Sequence, residues 1–295
     1  MKILNFGSIN IDITYTVDEF VRAGETIFAS SVSRHAGGKG CNQSIALARA
    51  GATVYHAGCI GFDGSFLLDE LKASGVNTQY ISKINEPTGT ALVQVNKHGN
   101  NCILLYGGAN RCISKEFIDQ VLSGFAAGDV LLLQNEINLV QYISEKAWEK
   151  GMHIVANPSP TDAQYLPVLA KSEWILLNEV EASFFSGVDV PSEYLPALCK
   201  RFPDAKLVIT LGENGSICFD GKNILNQNAY HVRTVDTTGA GDTFTGFFLA
   251  SILRGGSPQE ALKIASKASA MSVTRSGASE SMPTLEEVNA FHIEI

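Results

Sequence analysis

Short apolar segments that alternate with helix-compatible stretches constrain the fold of this chain most strongly. Six such apolar runs lie at residues 3–7, 53–58, 130–134, 153–156, 174–177 and 207–210. Amphipathic stretches with helical spacing lie between them, for example at 65–74 and 141–150. Short apolar strands that alternate with helices are typical of a parallel sheet covered on both faces. The pattern therefore predicts an α/β fold with a mostly parallel central sheet.

Polar or glycine residues follow four of these apolar runs, at the points where the strands should end. They are Gln134-Asn135-Glu136, Asn157-Pro158, Asn178 with Glu181, and Thr210 with Gly212. Any one of these ends also fits an ordinary helix cap. Open α/β sheets bind ligands at the carboxyl edge of their strands. The four ends together therefore predict a binding site at that edge.

The segment 88–106 departs from the alternation of strands and helices. It reads as two strands joined by a turn around Gly99. Together with strand-like residues before Gly37, it predicts a small antiparallel lid outside the main sheet, formed by about residues 11–36 and 88–110. The sequence contains no internal repeat, low-complexity run or linker. We therefore expect a single domain over residues 1–295, with the lid as an excursion from it.

Charge and cysteine usage exclude several classes of protein. The chain has 22 Lys and Arg residues against 30 Asp and Glu residues, a formal charge of -8, which argues against a nucleic-acid partner. The N-terminus lacks a signal-peptide core, and no apolar run approaches membrane-spanning length, so no membrane partner is expected. The six cysteines form no C-x-x-C pair, which is typical of free thiols in a reducing compartment. We expect a cytoplasmic protein.

A polar, glycine-rich turn at 236–242 runs directly into an apolar, helix-compatible stretch. Gly239 and Gly241 allow a sharp turn whose N–H groups face outward, and a helix that begins there favours anionic oxygens. Asp242 should lie at or just inside the helix start. One interpretation is a helix N-cap. The other is a base that takes the proton of a hydroxyl attacking a phosphoryl group.

Two N-terminal features are less specific. Asn10 and Asp12 alternate with apolar residues, so they share one face of a strand and could bind the hydroxyls of a sugar, or simply face solvent. The glycine-rich segment 36–43 reads as a loop before a helix that ends at Gly51. It matches neither the Walker A motif nor the dinucleotide-binding fingerprint, and a plain tight turn also explains it.

With these residues assembled, the chain resembles the ribokinase (PfkB-type) family of small-molecule kinases over nearly its whole length. The resemblance is carried by two motifs, Gly37-Gly38-Lys39-Gly40-x-Asn42-Gln43 and Asp236-Thr237-Thr238-Gly239-Ala240-Gly241-Asp242-Thr243-Phe244. The pairs Asn178-x-x-Glu181 and Thr210-x-Gly212 lie between them in matching order. The resemblance implies a three-layer α/β/α sandwich with a β-sheet lid. It also implies transfer of the γ-phosphoryl group of ATP to a sugar hydroxyl.

The resemblance further implies roles for individual residues. The catalytic set is Asp242 as the base, with the N–H groups of Gly239, Ala240 and Gly241 facing the moving phosphoryl group. The sugar-binding set is Asn10, Asp12, Gly38, Lys39, Asn42, Glu136 and Asp242. Asn178 and Glu181 match the motif that organises Mg²⁺ and phosphate, and the other nucleotide-contacting positions are Thr210, Gly212 and Gly241.

A monovalent cation site and a substrate preference also follow from the resemblance. The segment 272–281 resembles a loop that binds an activating K⁺ ion, with ligands from Asp236, Thr238, Ser272, Arg275, Gly277 and Ser281. A Ser/Gly-rich loop without a bound ion would have the same sequence pattern.

The first substrate that the resemblance implies is D-ribose, which would be phosphorylated at its 5-hydroxyl. The alternatives are fructose, a keto-deoxy sugar acid, an adenosine-like nucleoside, or a catalytically silent sugar-binding protein. An acid substrate would need an arginine, and the sequence places none in the pocket. The resemblance also implies a homodimer formed through the lid, whose exposed edge strands would be suited to pairing.

Overall fold

The computed structural model describes residues 1–291 of the chain, so the last four residues of the predicted domain lie outside the described part. The strands are β1 (Ile3–Phe6), β2 (Asn10–Thr16), β3 (Ser31–Gly37), β4 (Val54–Ile60), β5 (Asn77–Lys83), β6 (Gly89–Val95), β7 (Asn101–Tyr106), β8 (Val130–Leu133), β9 (His153–Ala156), β10 (Trp174–Asn178), β11 (Lys206–Thr210), β12 (Ser216–Phe219) and β13 (Ile224–Gln227). The α-helices are α1 (Lys39–Arg49), α2 (Ser65–Ala73), α3 (Lys115–Ser123), α4 (Val140–Glu149), α5 (Leu166–Leu169), α6 (Glu179–Ser186), α7 (Pro191–Arg201), α8 (Ala240–Leu253), α9 (Pro258–Ser272) and α10 (Leu285–Ala290). Within residues 1–291, no helix is long and apolar enough to cross a membrane.

Within the described residues, the main sheet has nine strands in the order β13-β12-β11-β10-β9-β8-β1-β4-β5. Every neighbouring pair from β11 to β5 is parallel. At the other edge of the sheet, within residues 1–291, β12 is antiparallel to both β11 and β13. The predicted α/β fold with a mostly parallel sheet is therefore confirmed.

Two buried clusters, one on each face of the main sheet, form the core. Ile3 belongs to the cluster that contains residues of α1, α8 and α9, whereas Leu4 belongs to the cluster on the opposite face. Successive side chains of a strand point to opposite faces, so one apolar strand supplies both clusters. Burial of each large apolar side chain contributes about 2 kcal/mol. These two helical layers around the sheet confirm the predicted three-layer sandwich.

A second sheet of four strands, in the order β3-β2-β6-β7, forms the lid. The pairs β2–β3 and β6–β7 are antiparallel, but β2 and β6 are parallel. The expectation of an antiparallel lid was therefore wrong for the pair β2–β6. The reason lies in the main sheet: β2 follows β1 and β6 follows β5, and these two parallel strands end at the same edge. Both lid strands consequently leave the main sheet in the same direction.

The glycine-rich segment at residues 36–43 is only partly a loop, because α1 already begins at Lys39. The N–H of Cys41 donates to Ser8 O at 2.8 Å, which ties this first turn to the segment after β1. Gly40 packs there so closely that an added Cβ would lie 2.6 Å from Gly7 Cα. The glycine at position 40 thus allows a helix to pack against backbone. Asn42 and Gln43 become helical residues that face the core.

Candidate active site

Asp242 is the third residue of α8, whose N-cap is Gly239. The N-cap is therefore a glycine, and no side chain of the described residues caps this helix, so the interpretation of Asp242 as an N-cap was wrong. Its side chain is 7% exposed, and both carboxylate oxygens accept hydrogen bonds from α1. Gln43 Nε2 donates to Oδ1 at 2.9 Å, and Asn42 Nδ2 donates to Oδ2 at 3.1 Å. The glycine-rich N-terminal motif and the C-terminal motif therefore meet at this carboxylate.

The turn that opens α8 can hold an anion. Gly239 has φ 74°, a conformation that favours glycine. Gly241 has no such constraint, and an added Cβ would meet no atom within 4 Å, so it would point into open space. Among residues 1–291, the N–H groups of Gly239 and Gly241 have no hydrogen-bond partner, whereas the Ala240 N–H donates to Thr237 O at 3.2 Å. The N-terminus of a helix of 14 residues adds its positive dipole end at this point.

A cavity of about 240 Å³ lies in front of this turn. Its wall includes Lys39, Asn178, Glu181, Gly241 and Asp242. Burial by itself lowers the pKa of Lys39, but the carboxylates of Asp242, Glu136 and Glu181 together raise that pKa above its ordinary value. Lys39 therefore carries a positive charge at neutral pH. It lines the cavity at the point where an anion would be bound.

Asn178 and Glu181 form a capping box at the start of α6. Asn178 Oδ1 accepts from the Glu181 N–H at 2.9 Å, and Glu181 Oε2 accepts from the Asn178 N–H at 3.0 Å. Glu181 Oε1 accepts from Asn178 Nδ2 at 3.0 Å. The helix-cap interpretation is therefore correct at this strand end, and the same pair also lines the cavity. Because both Glu181 oxygens accept hydrogen bonds, a metal ion would meet this pair most easily through bound water.

A second cavity, of about 440 Å³, lies between the main sheet and the lid. Asn10, Asn110 and Glu136 line it. Asn110 Nδ2 donates to Asn10 Oδ1 at 2.7 Å. Glu136 Oε2 accepts from Ser8 Oγ at 2.5 Å and from the Lys39 N–H at 3.0 Å. These contacts fix polar groups from both sheets around one space.

Asp12 is a partly buried carboxylate on the lid strand β2 with an unsatisfied oxygen. Its Oδ1 is buried and has no hydrogen-bond partner among residues 1–291. Burial, and after it the nearby carboxylates of Glu136 and Glu280, raise the pKa of Asp12 to about 7. Asn42 Oδ1 is likewise buried without a partner in the described part of the chain. Buried acceptors without donors are uncommon in folded proteins, and hydroxyl groups of a ligand would satisfy both.

The third cavity is a cleft of about 570 Å³ that adjoins the cavity in front of the turn, with which it shares Thr210, Thr237, Gly241 and Phe244. The predicted nucleotide positions Thr210, Gly212 and Gly241 line it, as does Ala240. Its wall also contains residues that the sequence did not indicate, namely Tyr230, His231, Val232, Ser266 and Ala270. These residues come from a loop and from one face of α9, and they carry no motif that sequence alone could detect.

The two segments assigned to a monovalent cation are adjacent. Asp236 Oδ2 accepts from the Gly277 N–H at 3.0 Å, and Asp236 Oδ1 accepts from the Thr238 N–H at 2.9 Å. The Arg275 N–H donates to Ser272 O at 3.0 Å, and Ser281 Oγ donates to Ala278 O at 2.8 Å. The structure therefore brings the segments 236–238 and 272–281 together beside the turn that opens α8.

Some residues of the site were missed or underrated from the sequence. Gln43 belongs to the first motif, but the sequence predicts no role for it. Asn157 is predicted only as a polar residue at a strand end. Arg111 lines the cavity under the lid, where the sequence placed no arginine, and its Nη1 donates to Ile137 O at 3.2 Å. The spacing of these residues gives no sign that they meet, since the fold alone brings them together.

Comparison with known proteins agrees with this geometry. Residues 1–285 match the model of the pfkB family of carbohydrate kinases. The chain is 36% identical to a ribokinase from Haemophilus influenzae, over 97% of this chain and 96% of the relative. It is 30% identical to a deoxyribokinase from Salmonella typhi, over 99% and 98%. The solved structure of Arabidopsis thaliana ribokinase complexed with ribose and ATP superposes with a TM-score of 0.87 at 29% identity, covering 98% of this chain and 97% of that one. As its two motifs indicated, this chain belongs to the pfkB family of carbohydrate kinases and is an ATP-dependent sugar kinase.

Proposed function

We propose that this protein transfers the γ-phosphoryl group of ATP to the 5-hydroxyl of D-ribose, which gives ribose 5-phosphate and ADP. The observation that carries this proposal is the position of Asp242. It lies at the start of α8, beside the N–H groups of Gly239 and Gly241, and it contacts Asn42 of the predicted sugar-binding set. Similarity to ribokinases over nearly the whole chain supports ribose as the sugar.

In the proposed reaction, Asp242 is the general base. The proton of the sugar hydroxyl passes to Asp242 Oδ2, the sugar oxygen forms a bond to the γ-phosphorus, and the bond from phosphorus to the ADP oxygen breaks. The N–H groups of Gly239 and Gly241 would face the developing negative charge, whereas the Ala240 N–H already donates to Thr237 O. Because such donors are fixed before the reaction, each contributes on the order of 3 kcal/mol to transition-state stability. Closure of the lid would exclude water, which could otherwise accept the phosphoryl group.

The sugar would lie between the main sheet and the lid. Its hydroxyls would donate to Asp12 Oδ1 and Asn42 Oδ1, two of the buried side-chain oxygens that have no partner among residues 1–291. The remaining groups proposed to hold the sugar are Asn10, Gly38, Lys39 and Glu136. The charged Lys39 also lines the anion-binding cavity, so we propose that it bridges the sugar and the phosphoryl group.

Two metal ions belong to the proposal. Mg²⁺ would be held by ATP phosphates and, through water, by Asn178 and Glu181; Mg²⁺ usually keeps several waters, so a cage of protein ligands is not required. It would supply positive charge against the phosphate oxygens. K⁺ would be bound by oxygens of Asp236, Thr238 and the segment 272–281, where it would act electrostatically on the adjacent turn.

We also propose a homodimer formed through the lid. The edge strand β7 carries four consecutive exposed apolar side chains, Ile103, Leu104, Leu105 and Tyr106. Exposed edge strands of this kind pair readily with other strands. Sedimentation analysis of the protein and of Leu104→Lys tests this, and a monomeric unsubstituted protein would contradict the dimer.

We further propose that the chain works as one kinase domain in the cytoplasm, since all six of its cysteines are free thiols.

The experiment that tests the function is a coupled ATP-consumption assay with Mg²⁺ and K⁺. The panel would contain ribose, 2-deoxyribose, fructose, a keto-deoxy sugar acid and adenosine. The sugar acid is needed because Arg111 lines the cavity, and 2-deoxyribose because of the deoxyribokinase relative. A clear preference for ribose, with phosphate at its 5-position by ³¹P NMR, is expected. Preference for another substrate would contradict ribose, and ATP binding without turnover would indicate the silent sugar-binding alternative.

A further inference from the structure

Three fully buried side-chain amides lie in a row behind Asp242. They are Asn5 on β1, Gln134 at the end of β8 and Gln43 on α1, and each is at most 1% exposed. We call these three side chains the amide row. Gln134 Nε2 donates to Asn5 Oδ1 at 3.0 Å and to Gln43 Oε1 at 2.6 Å. Gln43 Nε2 then donates to Asp242 Oδ1 and to Asn157 Oδ1, both at 2.9 Å.

A backbone carbonyl at one end determines the orientation of the whole amide row. Asn5 Nδ2 donates to Gly40 O at 2.7 Å. A carbonyl oxygen can only accept, so the NH₂ group of Asn5 must face Gly40 and its oxygen must face Gln134. Gln134 must then present its NH₂ group, which leaves the oxygen of Gln43 on its side. The NH₂ group of Gln43 consequently points to Asp242.

The orientation of Gln43 is also determined independently, from Asn157 at the opposite end of the amide row. Asn157 Nδ2 donates to Leu176 O at 3.0 Å, which again is a backbone carbonyl. The oxygen of Asn157 must therefore face Gln43, whose second N–H donates to it. If Gln43 were flipped, its oxygen would face Asp242 Oδ1 and Asn157 Oδ1, so three acceptors would meet without a proton. Both ends of the row thus require the same orientation of Gln43.

The amide row also carries an energetic cost. Gln134 Oε1 is buried and has no hydrogen-bond partner among residues 1–291. An unsatisfied buried acceptor is unfavourable, and apolar residues of similar shape often replace buried polar groups without loss of stability. The two hydrogen bonds that Gln134 Nε2 donates satisfy Asn5 Oδ1 and Gln43 Oε1 and offset this cost. The second of these bonds is also the contact that orients Gln43.

We propose that Gln43 is a positioning residue for phosphoryl transfer and that Gln134 acts through it. Gln43 donates to Oδ1 of Asp242 and Asn42 donates to Oδ2, so the two amides keep the carboxylate in one orientation, in which Oδ2 would meet the sugar hydroxyl. This inference rests on the proposed role of Asp242 as the base. Without Gln43, the contact with Asn42 holds the carboxylate at one oxygen only, so the carboxylate can rotate. Misplacement of a catalytic group by about 1 Å can cost about 100-fold in rate.

The test compares Gln43→Met, Gln134→Met and the double variant by steady-state kinetics on whichever sugar the unsubstituted protein phosphorylates. Methionine has similar length and no donor. For Gln43→Met we expect kcat to fall by about 10- to 100-fold, while KM for sugar and for ATP changes less than about threefold. For Gln134→Met we expect a smaller fall in kcat. The double variant should be no slower than Gln43→Met, because Gln134 acts only through Gln43.

Controls separate positioning from folding and from the proposed function. Ser44→Ala removes the buried hydrogen bond that Asn5 Nδ2 donates to Ser44 Oγ, but Asn5 Nδ2 still donates to Gly40 O, so kcat should stay within about twofold. Gln43→Asn tests rescue, since a shorter amide keeps the donor and should retain more activity than methionine. Losses that multiply in the double variant, or equal losses for Ser44→Ala and Gln43→Met, would overturn the proposal. Absence of turnover by the unsubstituted protein would instead count against the proposed function. If Gln43→Met does not fold, the test rests on Gln134→Met: a lower kcat supports the proposal, and an unchanged kcat overturns it.

Discussion

The carboxylate of Asp12 lies directly against the backbone of Gly37, so closely that a Cβ added to Gly37 would stand 2.0 Å from Asp12 Oδ2. No real contact is that short, so any side chain at position 37 must displace Asp12. The glycine that begins the first motif thus makes room for a carboxylate that we propose binds sugar.

Gly37→Ala should therefore weaken sugar binding much more than nucleotide binding. We expect KM for the sugar to rise by about tenfold or more, because a displaced carboxylate loses a charge-assisted hydrogen bond. Isothermal titration with ribose and with ATP measures the two affinities separately. Ser33→Ala, an exposed position on the same strand, is the control. An unchanged affinity for ribose would contradict the role of Asp12.

The raised pKa of Asp12 predicts a pH-dependent sugar affinity. Burial, with help from Glu136 and Glu280, raises this pKa to about 7, so the carboxyl group is mostly protonated below pH 6. The ionised form accepts the stronger hydrogen bonds from hydroxyl groups. Because about one tenth of the groups are ionised one pH unit below the pKa, we expect about tenfold weaker ribose binding at pH 6 than at pH 8. The same titration with Asp12→Asn should be flat, and an equal slope in that variant would assign the effect to another group.

Asp242→Asn tests the base itself. The amide has nearly the same shape as the carboxylate but cannot take the hydroxyl proton, so kcat should fall by about 1,000-fold. ATP affinity, measured by titration without sugar, should change little. Asp220→Asn, which alters a turn carboxylate bonded to the N–H groups of Lys222 and Asn223, is the matched control. Near-normal turnover of Asp242→Asn would rule out the assignment.

His56 predicts how stability depends on pH. It is fully buried, with Nε2 at 3.2 Å from Gly7 O and Nδ1 at 2.8 Å from Ser44 Oγ, and burial lowers its pKa from 6.5 to about 4. The unfolded chain therefore binds this proton more readily, and the contribution of His56 to stability is lost as pH falls from about 6.5 towards about 4. The raised pKa of Asp12 acts in the opposite direction, since its contribution is lost as pH rises from 3.8 to about 7.

The contribution of His56 is isolated by comparison with His56→Gln, because Asp12 is common to both proteins. Between pH 7 and pH 5, the free energy of unfolding of the unsubstituted protein should fall by about 2 kcal/mol relative to that of the variant. Urea unfolding at both pH values measures this difference. Parallel pH dependence in the two proteins would show that His56 does not titrate as expected.

The proposed K⁺ site predicts a dependence of activity on the monovalent cation. Replacement of K⁺ by tetramethylammonium at constant ionic strength should lower kcat, because the bulky ion does not fit oxygens spaced for K⁺. Asp236→Ala should lower activity in K⁺ and reduce its response to the cation, since it removes one proposed ligand. An unchanged kcat of the unsubstituted protein after this exchange of cations would contradict the proposed K⁺ site.

Much of the molecule could be predicted from sequence because its signals are local. The apolar runs predicted the parallel sheet, since a strand buried on both faces must be apolar along its length. The turn at 236–242 predicted an anion-binding helix start, since glycine and helix geometry act within a few residues. The start of α1 at Lys39 was missed because two glycines read as a loop, and the packing of Gly40 on Gly7 became visible only in the fold.

By itself, the sequence determined the class of fold, the position of the glycine turns and the identity of the groups that carry the chemistry. Only the tertiary structure decided which of those groups meet. Asn5, Gln43, Gln134 and Asn157 lie far apart along the chain, and no periodicity links them. They contact one another because parallel strands bring their ends to one edge of the sheet, where α1 and α8 pack. The orientation of each amide then depends on its neighbours and finally on the backbone carbonyls of Gly40 and Leu176.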